Sequence, residues 1–543
     1  MTSEVQRSVP HTSFNFDPSV APPASAWVPP SWMIAHNADP KTPKHPSLNG
    51  LGDPWDPRRP TFKGINLTKP DLRIKVPDIS IAPQRPDDTD TTIAFVDVNI
   101  LDSTGAPPYR GDVLVRGQRI VSVGGTLPRE TRARASKVVE GRGRTLMSGM
   151  CDAHTHFSWT NSDSLDGLAG MAVEEHTIFA ARSARTFLDC GYTMCVGAAS
   201  AKQRLDVVVR NAINAGDIPG PRYLANGQEM APPDGALIGG ITRFVKDADD
   251  VAAAVKQMVE EDGINNIKLS MSGEEMTETL RAEDTTFPDD MVAAAVEAAH
   301  EHGIRVCSHA RSDESILQCL QYGIDIIYHG SFISDSTMFA LEAQKNRVFV
   351  APALNWLYGT LHDAAAFGCK YLTAESVGYA RELEVAIAGL KEMKKRGIKA
   401  SPTVSGITLI LPGGDYGFAW TPHGTYRDLE LFVKLLDFTP MEAILSATTL
   451  GGEIMLHPRE LGKVQPGYYA DLILVNGDPL EDISLLSNQE NIDVILMNGR
   501  VHKEAARGGG RPYEDSADRN LLEEAKKLKI EEEIAEQRLD LVA

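Results

Sequence analysis

Apolar and polar positions along this chain follow two rhythms. Between 144 and 455, short apolar runs alternate with stretches in which apolar residues recur every three or four positions. The runs read as buried strands over 145–151, 192–197, 222–226, 265–269, 304–308, 324–328, 347–351 and 407–411. The longer stretches, Asp289 to His302 and Val377 to Lys395 among them, read as amphipathic helices. Eight strands alternating with helices predict an α/β fold, a (β/α)8 TIM-like barrel over 144–455. A doubly wound open sheet is the competing architecture, but no Gly-rich phosphate loop follows an early strand.

The flanks are patterned differently. Ile93 to Val98, Asp112 to Val115 and Arg119 to Val123 read as short strands separated by turn glycines, and Ala470 to Val475 and Val494 to Val501 match them near the other end. Neither set buries enough apolar surface alone. They are expected to join into a flanking β-sandwich built from both chain ends, 89–143 plus 456–505. Residues 1–88 are Pro-rich yet carry Trp27, Trp32 and Trp55, which predicts an extended arm docked on its own barrel or on a neighbouring subunit. Residues 506–543 read as a charged helical tail that packs on a partner, so a homo-oligomer is expected.

The chain has 543 residues, 42% of them hydrophobic, enough for a large core and a second domain. A net charge of −20 argues against nucleic acid or an anionic membrane as the main partner. No apolar run approaches the ~20 residues of a membrane helix. Met1 to Pro10 lacks a basic start followed by an apolar stretch, so a cytoplasmic location is expected. Six cysteines in this length do not make a disulfide framework.

The chemistry gathers at strand ends. The first strand runs into Asp152-Ala153-His154-Thr155-His156. Side chains alternate along a strand, so His154 and His156 lie on one face and can converge on one metal ion. Later strands end at Lys268, His309 and His329, and the eighth runs into Gly413-Gly414-Asp415. A strand-end histidine is more often simply hydrogen-bonded, but six such groups at the rim where barrel active sites sit point to a metal centre.

With these motifs the chain resembles the amidohydrolase superfamily, in its imidazolonepropionase-like and Xaa-Pro dipeptidase-like (ochratoxinase-like) branch. The resemblance covers about 91–505 and includes Asn266-Ile267-Lys268, Ser308-His309-Ala310, His423-Gly424 and Gly477-Asp478-Pro479-Leu480. It implies two divalent metal ions, expected to be zinc. His154, His156 and Asp415 would hold one and His309 and His329 the other, with Lys268 bridging both as a CO2-derived carbamate. It further implies a metal-bridging hydroxide attacking an amide carbonyl, with Asp415 as the catalytic proton shuttle.

The expected function is hydrolysis of a C–N amide bond in a small molecule: an N-acyl amino acid, a dipeptide or an ochratoxin-like amide. The alternative within the superfamily is a cyclic-amide hydrolase or deaminase acting on a heterocyclic ring. Substrate-side candidates are Trp159, Tyr223, Arg311, Trp356 and His423 in the loops after the strands. Arg311 departs from the small residue frequent at that family position. It would grip a substrate carboxylate, or else pair with Asp313 or Glu314.

Overall fold

The computed structural model describes residues 74–82, 90–235, 237–277, 280–367, 378–397 and 410–505. The expected N-terminal arm apart from 74–82, the helical tail and residues 407–409 of the eighth barrel strand lie outside the described residues. The first strands are β1 (Thr92–Leu101), β2 (Tyr109–Arg116), β3 (Arg119–Val123), β4 (Lys137–Glu140) and β5 (Thr145–Ser148). Interleaved with helices come β6 (Met150–Thr155), β7 (Tyr192–Gly197), β8 (Arg222–Leu224), β9 (Glu229–Ala231), β10 (Thr242–Phe244), β11 (Asn266–Ser270), β12 (Arg305–Ala310), β13 (Ile326–His329) and β14 (Phe349–Ala351). Last are β15 (Leu472–Val475), β16 (Ile492–Met497) and β17 (Arg500–Glu504).

The flanking strands form one eight-stranded sheet in the order β17-β16-β15-β5-β1-β2-β3, with β4 on β1. Strands from both chain ends do combine, joined in one continuous hydrogen-bonded network. The seam is β5, which pairs parallel to β1 on one edge and antiparallel to β15 on the other. Phe95, Val113, Leu146, Leu472 and Leu496 then pack into a common core.

The single strand expected over 145–151 is in fact two. The chain leaves the flanking sheet at Ser148 and enters the inner one at Met150. Gly149 makes the crossing, where a Cβ would lie 2.3 Å from the Thr193 side chain. An unbroken apolar run carries no sign of which sheet owns which half.

The centre is built of parallel strands, in a three-stranded sheet β6-β7-β8 and a six-stranded sheet β10-β9-β11-β12-β13-β14. Asn226 pairs with Asn266 and Val350 with Ile410 as isolated parallel bridges, and Ala153 N–H donates to Pro412 C=O at 2.9 Å. Neither β9 nor β10 was anticipated, because three residues carry no periodicity. Helix Asp289–His302 runs as read. Met291, Val292, Ala295, Val296 and Ala299 form its buried face, and Gly303 ends it at φ 81°. Among the described residues no helix is long and apolar enough to cross a membrane.

One buried cluster ties the two regions together. Arg222 in β8 is fully buried and makes a forked pair with Asp471, Nε to Oδ2 at 2.7 Å and Nη2 to Oδ1 at 3.2 Å. It also donates to Ile79 C=O at 2.7 Å and to Asn498 Oδ1 at 2.9 Å. Segment 74–82 thus lies strapped over this junction, with Ile79 and Ile81 buried in the main core.

Candidate metal centre

β6 delivers His154 and His156, as strand alternation requires. Asp152 anchors the turn-off, accepting His154 N–H at 3.0 Å and the Thr155 hydroxyl at 2.6 Å. Opposite, Gly413 and Gly414 bring the chain across this strand end. A Cβ on Gly413 would sit 2.7 Å from His154 Cβ, and one on Gly414 2.2 Å from the Tyr416 ring. Asp415 then follows at φ 56° and His329 lies at φ 68°, both in the left-handed region that non-glycine residues avoid. Strained backbone therefore falls on two predicted ligands.

Asp415 Oδ1 is 3.1 Å from His156 Nε2 and 3.8 Å from His154 Nε2. Among the described residues these three form a cluster whose ligand atoms lie within 4.8 Å of one another. The ring centroids of His154 and His329 are 5.2 Å apart, and those of His309 and His329 are 4.4 Å apart, so the four imidazoles are contiguous. Backbone carbonyls set their tautomers. His156 donates from Nδ1 to Ala199 C=O at 3.2 Å, and His309 donates from Nε2 to Gly273 C=O at 3.1 Å. That leaves Nε2 of His156 and Nδ1 of His309 as lone pairs. Both ring nitrogens of His329 are buried with no hydrogen-bond partner. Unspent donors of this kind fit a cation.

Burial holds His154, His309 and His329 well below the usual histidine range, hence neutral and able to ligate. Burial works to raise Asp415, but the imidazoles of His154 and His156 and the charge of Lys268 outweigh it and keep its carboxyl below the usual range. Its side chain remains 14% exposed, which leaves this ligand group a path to solvent.

Lys268, on β11, is buried beside these groups. Its Nζ lies 3.6 Å from Glu229 Oε1 and 4.6 Å from the centroid of Tyr328, whose ring also stacks on His154 at 3.8 Å. Neither Glu229 nor Tyr328 was singled out from sequence. Glu229 sits in a three-residue strand with no motif around it, and Tyr328 reads as one more core aromatic.

The substrate-side candidates divide. Trp159 stacks on His156 at 4.1 Å, inside the site. Trp356 packs between Phe418 and Trp420, and its indole N–H is buried without a partner. Tyr223 faces Phe157 and gives its hydroxyl proton to Asp206. His423 donates to Trp159 C=O at 3.0 Å and is pushed down to about 3 by burial, so it acts as a neutral brace for that loop. Arg311 pairs with Glu274 and Glu382, not with Asp313 or Glu314, because its buried fork points back across the strand ends and Asp313 is turned to Ser334 N–H. Beneath the Asp415 loop, burial and mutual repulsion raise Asp152 to about 7, and burial raises Asp428 to about 6.

Comparisons with known proteins bear on the family and the fold. The model of the amidohydrolase family matches residues 145–502. The ochratoxinase of Aspergillus niger is 24% identical over 475 residues, covering 82% of this chain and 92% of that protein. Its crystal structure superposes with a TM-score of 0.65 at 20% identity, over 77% of this chain and 97% of its own. A prolidase crystallised with N-methylphosphonate-L-proline gives a TM-score of 0.65 at 24% identity, over 76% of this chain and 100% of its own.

Proposed function

The chain belongs to the amidohydrolase family, and on that premise we propose that it is a metal-dependent hydrolase cleaving the C–N bond of a small amide. An N-acyl amino acid, a dipeptide or an ochratoxin-like amide is the substrate class that its relatives' names support. One observation carries the reading: His154, His156 and Asp415 bring their ligand atoms within 4.8 Å of one another, and beside them both ring nitrogens of His329 are buried without a partner. In this reading His154, His156 and Asp415 would hold one divalent ion and His309 and His329 a second, and Lys268, as its carbamate, would supply an anionic oxygen ligand. Imidazole and oxygen donors of this kind suit zinc. Bound as a pair, such ions supply an activated hydroxide and polarise the scissile carbonyl.

The chain's own groups do the rest. Asp415 takes the proton of the attacking water on the carboxylate oxygen not turned to His156 and passes it to the leaving nitrogen. Trp159, Trp356 and the aromatic residues around them shut water from the acyl side, with Tyr223 and His423 bracing the loops behind. The bridges at Asn226 and Ile410, with the Ala153–Pro412 bond, support a closed eight-stranded barrel carrying the site at its C-terminal rim.

The test is metal analysis joined to a hydrolysis screen over N-acyl amino acids, dipeptides, cyclic ureas and aryl amides. Two equivalents of metal and turnover of an open-chain amide are expected. Full activity after exhaustive chelation would overturn the reading, and ammonia released from a ring would favour the deaminase alternative.

A further inference from the structure

Two residues past His309, Arg311 is completely buried and its fork is occupied on both sides. Nη2 lies 2.5 Å from Glu274 Oε2, and Nη1 lies 2.8 Å from Glu382 Oε1. Glu274 also accepts the Tyr379 hydroxyl at 2.5 Å, and Glu382 the Ser331 hydroxyl at 2.7 Å. Two carboxylates therefore face one guanidinium. Only Nε is left without a partner, and it is buried, so a substrate carboxylate arriving here would meet two like charges already paired to both terminal nitrogens.

The cluster has a different neighbour. Residues 271–274 run alongside 309–311 and are joined to them at each step. Met271 N–H donates to His309 C=O at 2.9 Å, Arg311 N–H to Ser272 Oγ at 2.9 Å, and His309 Nε2–H to Gly273 C=O at 3.1 Å. Gly273 and Glu274 are consecutive, so the segment that holds the imidazole by a carbonyl is itself held by the ion pair. It has no slack, because a Cβ on Gly273 would lie 2.1 Å from Arg281 C=O. A histidine whose Nε2–H is committed to a carbonyl can offer only Nδ1 to a cation, at a tilt the carbonyl sets.

We propose that Glu274, clamped by Arg311 and Tyr379, is a positioning residue for His309. It fixes the Gly273 carbonyl and so the tautomer and tilt with which His309 presents Nδ1 to the second metal ion. This rests on the metal reading above. It also removes Arg311 from the substrate-binding set.

Zinc content and chelator competition would be measured on the wild type, Glu274→Ala and Glu274→Gln. Glu274→Ala leaves Arg311 paired one-to-one with Glu382, so no bare charge is stranded in the core. One zinc should be held about 10–100-fold more weakly, the usual cost of losing an outer-shell partner, and the other unchanged. Gln keeps an oxygen acceptor and should recover most of the loss. The ratio of KM values for matched substrates ending in carboxylate and carboxamide should stay at the wild-type value.

Both zincs held as tightly in Glu274→Ala as in the wild type would overturn the proposal alone. So would a selective rise in KM for the carboxylate substrate. A wild type without a second zinc would overturn the metal reading and the proposal with it. Should Glu274→Ala not fold, Tyr379→Phe removes only the hydroxyl on Glu274: weaker retention of the same zinc supports the proposal, and unchanged retention overturns it.

Discussion

Removing Asp471 tests what holds the flanking sheet to the inner strands. The carboxylate accepts two hydrogen bonds from Arg222 and a third from Asn498 N–H at 2.7 Å. The Arg222 side chain is 0% exposed and that of Asp471 4%, so solvent cannot replace what is lost. Asp471→Ala leaves the guanidinium with two neutral acceptors, Ile79 C=O and Asn498 Oδ1, and no counter-charge. Breaking one side of a buried pair costs roughly 3–5 kcal/mol. Asp471→Asn keeps one acceptor oxygen and should cost about 2–3 kcal/mol, the scale of a charged hydrogen bond. The double variant Arg222→Met with Asp471→Ala should lie much closer to wild type, because it removes the stranded charge along with its partner. The assay is urea unfolding, comparing midpoints at unchanged slope. A loss below about 1 kcal/mol in Asp471→Ala would refute the reasoning, since a stranded buried guanidinium cannot be that cheap. A double variant as damaged as the single one would refute it as well.

Asp415→Asn should keep the fold, because Asn tolerates the left-handed backbone at φ 56°, while lowering kcat by about 10²–10⁴-fold for want of a proton acceptor. Steady-state kinetics with parallel metal analysis checks this, and wild-type turnover would remove Asp415 from the proton path. Burial raises Asp206 to about 6 against an ordinary 3.8, with Tyr223 bonded to it easing the shift. The folded state thus holds this proton between pH 4 and 6 when the unfolded chain has released it, so the group's contribution to stability falls as pH rises through that window. Asp206→Asn should abolish that slope and gain at most about 3 kcal/mol at pH 8 relative to pH 4, by the conversion of two pKa units. Denaturant midpoints across pH would show it, and an unchanged pH slope would exclude Asp206 as its source.

What was legible in the sequence is local. The alternation of β6 put His154 and His156 on one face, and the turn to polar groups after each apolar run marked His309 and His329 as strand ends, whereas Lys268 lies midway along β11. Residues Asp289–His302 announced their helix through the spacing of Met291, Val292, Val296 and Ala299. These follow from periodicity, which needs only neighbours along the chain.

What only the tertiary structure decided is every relation across distant segments. The partners of Arg311 lie 37 and 71 residues away, and Glu229 faces Lys268 from a strand too short to leave a pattern. The division of 145–151 between two sheets turns on Thr193 standing against Gly149. Likewise, β5 has one edge for β1 and another for β15, so the flanking strands make one sheet, a choice no single strand encodes. A residue's type states which bonds it can make, and its neighbours state which way it points. Which charge it finally meets is set by the packing of the whole chain.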